Sequence, residues 1–299
     1  MTEKKIIAVV GATGSQGGGL ARAVLADGAF AVRALTRDAA SAMAAELAAA
    51  GAHVVEADLN DEASVAEAFA GAHGAYVVTN YWAPRTPDDE AARTRREMEL
   101  AQAGAAAKAA RAAGVGHVIW STLEDTRKHF GDDERVPTVD GRYKVPHFDV
   151  KAEADELFDK YNVPTTFLRT AGYFEGFAGA LAPVRDPNGE LVLTLPIADR
   201  PMSGIAVEDI GKSALGVFKR GDEFIGQTVS IAGGHLTGGQ YAAALTDALG
   251  ERSPTGHWVS TSSAVWDFQA RSRWATCSST TPRTRSDSRA TGIWRRCGN

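Results

Sequence analysis

The chain has 299 residues, 44% of them apolar, enough for one large core or two modest ones and of a length that fits a nucleotide-binding domain plus a smaller lobe. Its formal charge of -5 leaves no basic footprint for a phosphate backbone, so direct nucleic-acid binding is not expected. No run approaches the roughly eighteen apolar residues of a membrane span, the start lacks the apolar core of a signal peptide, and Cys277 and Cys297 form no ligand pattern, so the expectation is a cytoplasmic protein with neither membrane segment, metal site nor disulfide framework.

The first predicted element is a strand over "KIIAVV", which runs through "GATGSQGGG" into an alanine-rich helix near 16–27. Gly11, Gly14 and Gly17 stand at three-residue spacing, and the segment Gly11, Ala12, Thr13, Gly14, Ser15, Gln16 and Gly17 is the candidate phosphate loop. Glycines let the backbone bend tightly and approach a pyrophosphate, whose charge sits on the free N–H groups opening the next helix. The competing reading is a glycine turn that only packs helix on sheet; a strand before and a helix after favour a dinucleotide.

A second strand, "AVRALT", ends at Arg37. An NAD site generally carries an acid here for the ribose 2′-hydroxyl, whereas a 2′-phosphate calls for a cation. Arg37 therefore points to NADP(H), with Asp38 beside it as the counter-indication. A helix near 39–50, a strand "HVVEA" and a helix near 61–69 follow; Asp58 and Leu59, after that strand, would flank the adenine. "AYVVT" leads to Thr79, Asn80 and Tyr81, which would lie under the ribose and nicotinamide. One helical pattern over 88–114, the strand "HVIWS", a helix near 150–160 and the strand "TTFLRT" complete the series. Strand and helix alternating in this way predict an α/β, doubly wound parallel sheet (Rossmann) over 1–170, with its ligand beyond the carboxyl ends of the strands.

From 171 to 256 the segments are shorter and punctuated by Gly and Pro. They read as a smaller α+β lobe closing over the site, with parts returning to the main sheet. Residues 257–299 differ again: they hold four of the six Trp, both Cys, seven Arg and two Asp, and no Leu, Lys, Glu, Tyr or Met. A basic nucleic-acid arm rarely excludes Lys while collecting Trp and Cys. A shifted reading frame after about Phe268, or a disordered tail, fits this composition; "QARSRWATCSSTT" can be encoded so that the neighbouring frame spells "PGAEQVGNMFQYY".

Taken together, "GATGSQGG", "TRD", "VTNYW", "HFDVKAEADELF", "LRTAGYFEGF" and "PMSGIAVEDIG" resemble the NmrA-like proteins, an atypical branch of the short-chain dehydrogenase/reductase superfamily. The likeness spans roughly residues 4–250. It implies NADP(H) binding tied to redox sensing or to regulation of a protein partner. The resemblance puts the phosphates on Gly11 to Gln16, the 2′-phosphate on Arg37 with the backbone through Ser41, and the adenine on Asp58 and Leu59. It puts the nicotinamide side on Thr79, Asn80, Tyr81 and Lys151, and a closing segment on Tyr173, Phe174, Glu175 and Gly176. Some members carry a Lys near Glu99 to Gln102, where this chain has Ala101. The stretches Ala83 to Arg96 and Arg127 to Pro146 look extended, and such loops distinguish substrates or partners.

Dehydrogenases of that superfamily use Tyr-x-x-x-Lys, the Lys lowering the Tyr pKa for proton transfer. No Tyr here has Lys four residues later; the matching place holds His147-x-x-x-Lys151. Candidate catalytic residues are His147 as acid or base, Lys151 on the nicotinamide ribose, and Ser121, where such enzymes place a substrate-binding serine. Each has a plainer reading, a helix-start His and a strand-end Ser among them. Two functions follow: an NADP(H)-responsive regulatory protein, or an NADPH-dependent oxidoreductase for a small carbonyl or quinone.

Overall fold

The computed structural model describes residues 3–250 apart from 196, 198 and 199, so the expectations for 257–299 lie outside the described residues. β1 (Ile6–Val10), α1 (Ser15–Asp27), β2 (Ala31–Thr36), α2 (Ala42–Ala49), β3 (His53–Glu56), α3 (Glu62–Phe69) and β4 (Gly74–Val77) come first. α4 (Pro87–Ala92), α5 (Arg95–Ala112), β5 (His117–Thr122), α6 (Thr126–Phe130), α7 (Pro146–Lys160) and β6 (Thr165–Arg169) continue the alternation. The strands join a seven-stranded sheet of order β11-β6-β5-β4-β1-β2-β3, parallel throughout. Its central strands are apolar runs because both faces are covered: all six residues of β5 are buried.

One core packs Trp120, Phe158 and Phe69 between the sheet and α3, α5 and α7. The other packs Leu20, Ile119 and Phe218 on the opposite face, under α1 and α8 (Val207–Lys219). The strand order reverses between β1 and β4, and such a reversal opens a crevice at the carboxyl ends.

The single helix expected over 88–114 is two. Thr86 and Thr94 each close a capping box, with Asp89 and Glu97 respectively, and Arg93 between them is extended. Each box satisfies N–H groups that a continuous helix would have bonded internally. α7 starts at Pro146 rather than near 150, because Pro is preorganised for a first helical turn. His147 thus lies in that first turn.

Beyond 170, β7 (Gly172–Tyr173), β8 (Val184–Arg185), β9 (Leu191–Val192), β10 (Met202–Ile205), α8, β11 (Thr228–Ser230), β12 (Gly234–Leu236) and α9 (Gly238–Leu249) follow. β11 pairs with β6 at the edge of the main sheet, and α8 lies along α1. Their approach requires glycine: a Cβ on Gly211 would stand 2.2 Å from the Gly19 carbonyl carbon. β12, β10 and β7 form a separate three-stranded sheet, with a small core of Phe177, Leu193, Leu195, Ile197 and Tyr241.

Candidate functional site

The glycine loop lies between β1 and α1, at the strand-order reversal. Gly11 has φ +64, which favours glycine, and turns the chain so that the Gly14 N–H donates to its carbonyl at 2.9 Å. Gly17 serves packing: a Cβ there would meet the Gly11 and Val10 carbonyl oxygens at 2.4 and 2.6 Å. α1 opens at Gly14 with no side-chain cap and no acid in its first turn, while Gly11, Gly14 and Ser15 are exposed. An uncapped helix start on an open loop leaves backbone N–H groups that could meet an anion. Ala12 is buried beneath the loop and Thr13 Oγ1 lies 3.2 Å from Thr36 Oγ1.

At the end of β2, Arg37 is exposed, and no hydrogen bond or ion pair is seen for its guanidinium among the described residues. Asp38 is spent locally: its Oδ1 accepts the Ala40 N–H at 2.9 Å, and its carbonyl accepts the Ser41 hydroxyl at 2.9 Å. Ser41 in turn caps α2 through the Ala44 N–H. The cation is open and the acid engaged. After β3, Asp58 accepts two bonds from Asn60 and Leu59 is half-buried. Asn60 Oδ1 also accepts from Gln102 Nε2 at 3.2 Å, tying this turn to α5.

Beyond β4 the structure brings together Thr79, Lys151 and a residue the sequence did not single out, Glu99. Lys151 Nζ donates to Thr79 O at 3.0 Å and Thr79 Oγ1 at 2.7 Å, and lies 2.9 Å from Glu99 Oε1. Thr79 Oγ1 donates to the same Glu99 oxygen at 2.5 Å. Glu99 is 0% exposed, and its second oxygen is buried without a hydrogen bond. An ammonium has three donors. Protein acceptors stand opposite all three.

His147 lies one turn before Lys151, among Trp82, Phe148 and Tyr81, with ring centroids 5.2, 4.9 and 6.3 Å away. Asn80 holds the Trp82 N–H at 3.0 Å, and Arg95 binds the Tyr81 and Ala83 carbonyls. Ser121 is 2% exposed and lies beside the Tyr76 phenol. Tyr76 donates to Gln16 Oε1 at 2.5 Å, and Gln16 Nε2 donates to Tyr173 Oη at 2.5 Å. Burial, then the neighbouring Tyr173, push the Tyr76 pKa up, so that the phenol stays protonated. Ser121 is therefore separated from Tyr173 by Tyr76 and Gln16. In the closing segment, Glu175 accepts the Val207 N–H at 2.9 Å, Phe174 packs 6.3 Å from the Tyr241 ring, and Gly176 accepts the Gly179 N–H.

The NmrA-like family profile matches residues 3–255. The chain belongs to the NmrA-like family. A crystal structure of NmrA, a negative transcriptional regulator, in complex with NADP is 25% identical with TM-score 0.72, over 93% of this chain and 82% of that one. Its complex with NAD is 25% identical with TM-score 0.73 over the same shares. The NADPH complex of an NADPH-dependent quinone oxidoreductase from Escherichia coli shares the fold at 22% identity and TM-score 0.65, over 91% of this chain and 87% of that one.

This NmrA-like chain carries a further, half-buried acid on the stripe of α7 that holds His147 and Lys151. Asp155 Oδ1 accepts from Trp120 Nε1 at 2.8 Å and Thr122 Oγ1 at 2.6 Å. Burial pushes its pKa up to about 6, against those two bonds and the charges of Arg169 and Lys151. A raised carboxyl means that the folded chain holds the proton more tightly than the unfolded one. Its favourable contribution is complete below the ordinary value of 3.8 and is lost as pH rises through about 6. Asp155→Asn keeps an oxygen acceptor without the charge. Relative to the unmodified chain it should gain about 2–3 kcal/mol in denaturant melts at pH 8 compared with pH 4. An equal difference at both pH values would refute this. Among the described residues no cluster of three or more His, Cys, Asp or Glu suits a metal, and no helix is long and apolar enough to cross a membrane.

Proposed function

We propose that this NmrA-like protein binds NADP(H) and acts mainly as a cofactor-responsive regulator. The residues fit a dinucleotide: the uncapped start of α1 would take the pyrophosphate and Arg37 the 2′-phosphate. The adenosine end would then fall to Asp58 and Leu59, after β3, and the nicotinamide end to Thr79, Tyr81 and Lys151; the strand order places β2 and β3 on one side of β1 and β4 and β5 on the other. When bound, NADPH supplies a hydride; this chain's residues orient the cofactor and hold protons.

The observation that carries regulation over turnover is the engagement of Lys151 by Thr79 and Glu99, with His147 in place of a tyrosine one turn earlier. A positioned proton donor is worth about a hundredfold to ten-thousandfold in rate, and the usual tyrosine donor is missing. A reductase of a small carbonyl or quinone is the second reading, favoured by the placement of His147 beside Tyr81 and Trp82.

Purified protein incubated with NADPH and a panel of quinones, aldehydes and ketones should bind the cofactor without consuming it. Hydrogen exchange should fall around Tyr81, over 127–146 and over 173–176, unequally for NADPH and NADP+. Rapid NADPH oxidation by one substrate class, lost in His147→Phe, would instead make the chain a reductase.

Arg37→Ala should remove most of a preference for NADPH over NADH, a difference of about 1–3 kcal/mol when a guanidinium makes charge-assisted bonds to the extra phosphate. Calorimetry reads both affinities. Equal values for the unmodified chain would defeat the assignment to Arg37.

A further inference from the structure

Lys151 is nearly buried, and its positive charge meets a wholly buried carboxylate at 2.9 Å. The two charges sum to zero at the place where β4 and β5 end, which on the reading above is the nicotinamide end of the crevice. Asp155 and Arg169 also face this region and are themselves of opposite sign. Nothing in the sequence around Glu99 announces this partner: on α5 it is flanked by Met98 and Leu100, in an alanine-rich helix.

We infer that Glu99 keeps Lys151 from biasing the site against oxidised cofactor, by cancelling the Lys151 charge beside the nicotinamide. The two cofactor forms differ there by one positive charge, on the oxidised ring. An uncancelled Lys151 would repel that ring and leave the reduced ring untouched; an uncancelled Glu99 would do the reverse. The electrically neutral pair imposes neither bias, so the ratio of the two affinities becomes a property of this carboxylate. The inference rests on the proposed NADP(H) site and adds a determinant of its response. Glu99 acts through Lys151 and is a positioning residue, one whose charge matters as well as its shape.

The test measures dissociation constants at pH 8 for NADP+, NADPH and 2′,5′-ADP, the last of which occupies the adenosine half and carries no nicotinamide. Glu99→Gln should raise the ratio of the NADP+ constant to the NADPH constant about tenfold, the scale of one unbalanced unit charge in a partly screened site. Lys151→Met should lower the ratio. The double variant Glu99→Gln/Lys151→Met, neutral again, should restore it, and Glu99→Asp should leave it near the starting value. Binding of 2′,5′-ADP should be unchanged in all four. An unchanged ratio in Glu99→Gln overturns the inference, as does weakening of all three ligands together, which is what a purely structural role would give. A wild-type chain that binds none of the three ends the NADP(H) reading itself.

Discussion

Replacing Lys151 by Met should cost about 3–5 kcal/mol of folding stability whether or not Lys151 touches a ligand, because it leaves a buried carboxylate without its partner. Glu99 is 0% exposed and cannot recover solvent without opening α5 away from α7. One of its oxygens already lacks a hydrogen bond, so the surviving Thr79 hydroxyl would be the sole donor to a full negative charge. The double variant Lys151→Met/Glu99→Leu removes both charges and should return most of the loss, since a buried pair exchanged for apolar groups of similar size is often neutral. Denaturant melts of the three proteins check this, and a Lys151→Met chain as stable as the parent would refute it. The consequence reaches the functional assays. Loss of binding or turnover in Lys151→Met alone mixes chemistry with unfolding, and the neutral double variant is the proper reference.

How much of this site the sequence reveals depends on whether the signal is local. Gly11, Gly14 and Gly17 have a local signature, and the structure gives Gly11 the turn and Gly17 the packing. The strands carry continuous apolar runs, which is why the doubly wound sheet could be read in chain order. The break at Arg93 was also written locally, in Thr86 with Asp89 and Thr94 with Glu97, but the alanine-rich helical pattern on both sides of it masked the two caps. Glu99 was not legible. A Glu on a helix is ordinarily a solvated residue, and only the packing of α5 against α7 turns this one onto Lys151. The chain Ser121, Tyr76, Gln16, Tyr173 is hidden for the same reason: its members lie on β5, β4, α1 and β7, and no spacing along the sequence relates them. Tyr76 reads simply as a core aromatic in an apolar strand.

Asp149, also in the "HFDVK" segment, was not singled out, and its removal should have the other large effect. This wholly buried carboxylate accepts the Thr126 N–H and hydroxyl at 2.7 and 2.6 Å with one oxygen, and the Lys144 and Val145 N–H groups at 2.8 and 3.1 Å with the other. It pins the start of α6 to the approach of α7, and so closes both ends of the extended stretch between them. Hydrogen bonds to a charged acceptor are worth about 1.5–3 kcal/mol each, though not additively, so Asp149→Ala should cost about 4 kcal/mol. Asp149→Asn should be nearly as damaging, because an amide nitrogen placed opposite two N–H donors cannot accept from them. The damage should be regional. Phe130, Val136 and Val145 form a small cluster of their own, and Tyr143 packs with Tyr81, so hydrogen exchange should rise over 126–146 and around Tyr81 while β1 and α1 stay protected. Unchanged exchange over 126–146 would refute this. If it holds, one carboxylate keeps Tyr143 against Tyr81, and the order of the stretch over 126–146 is tied to the segment that follows β4.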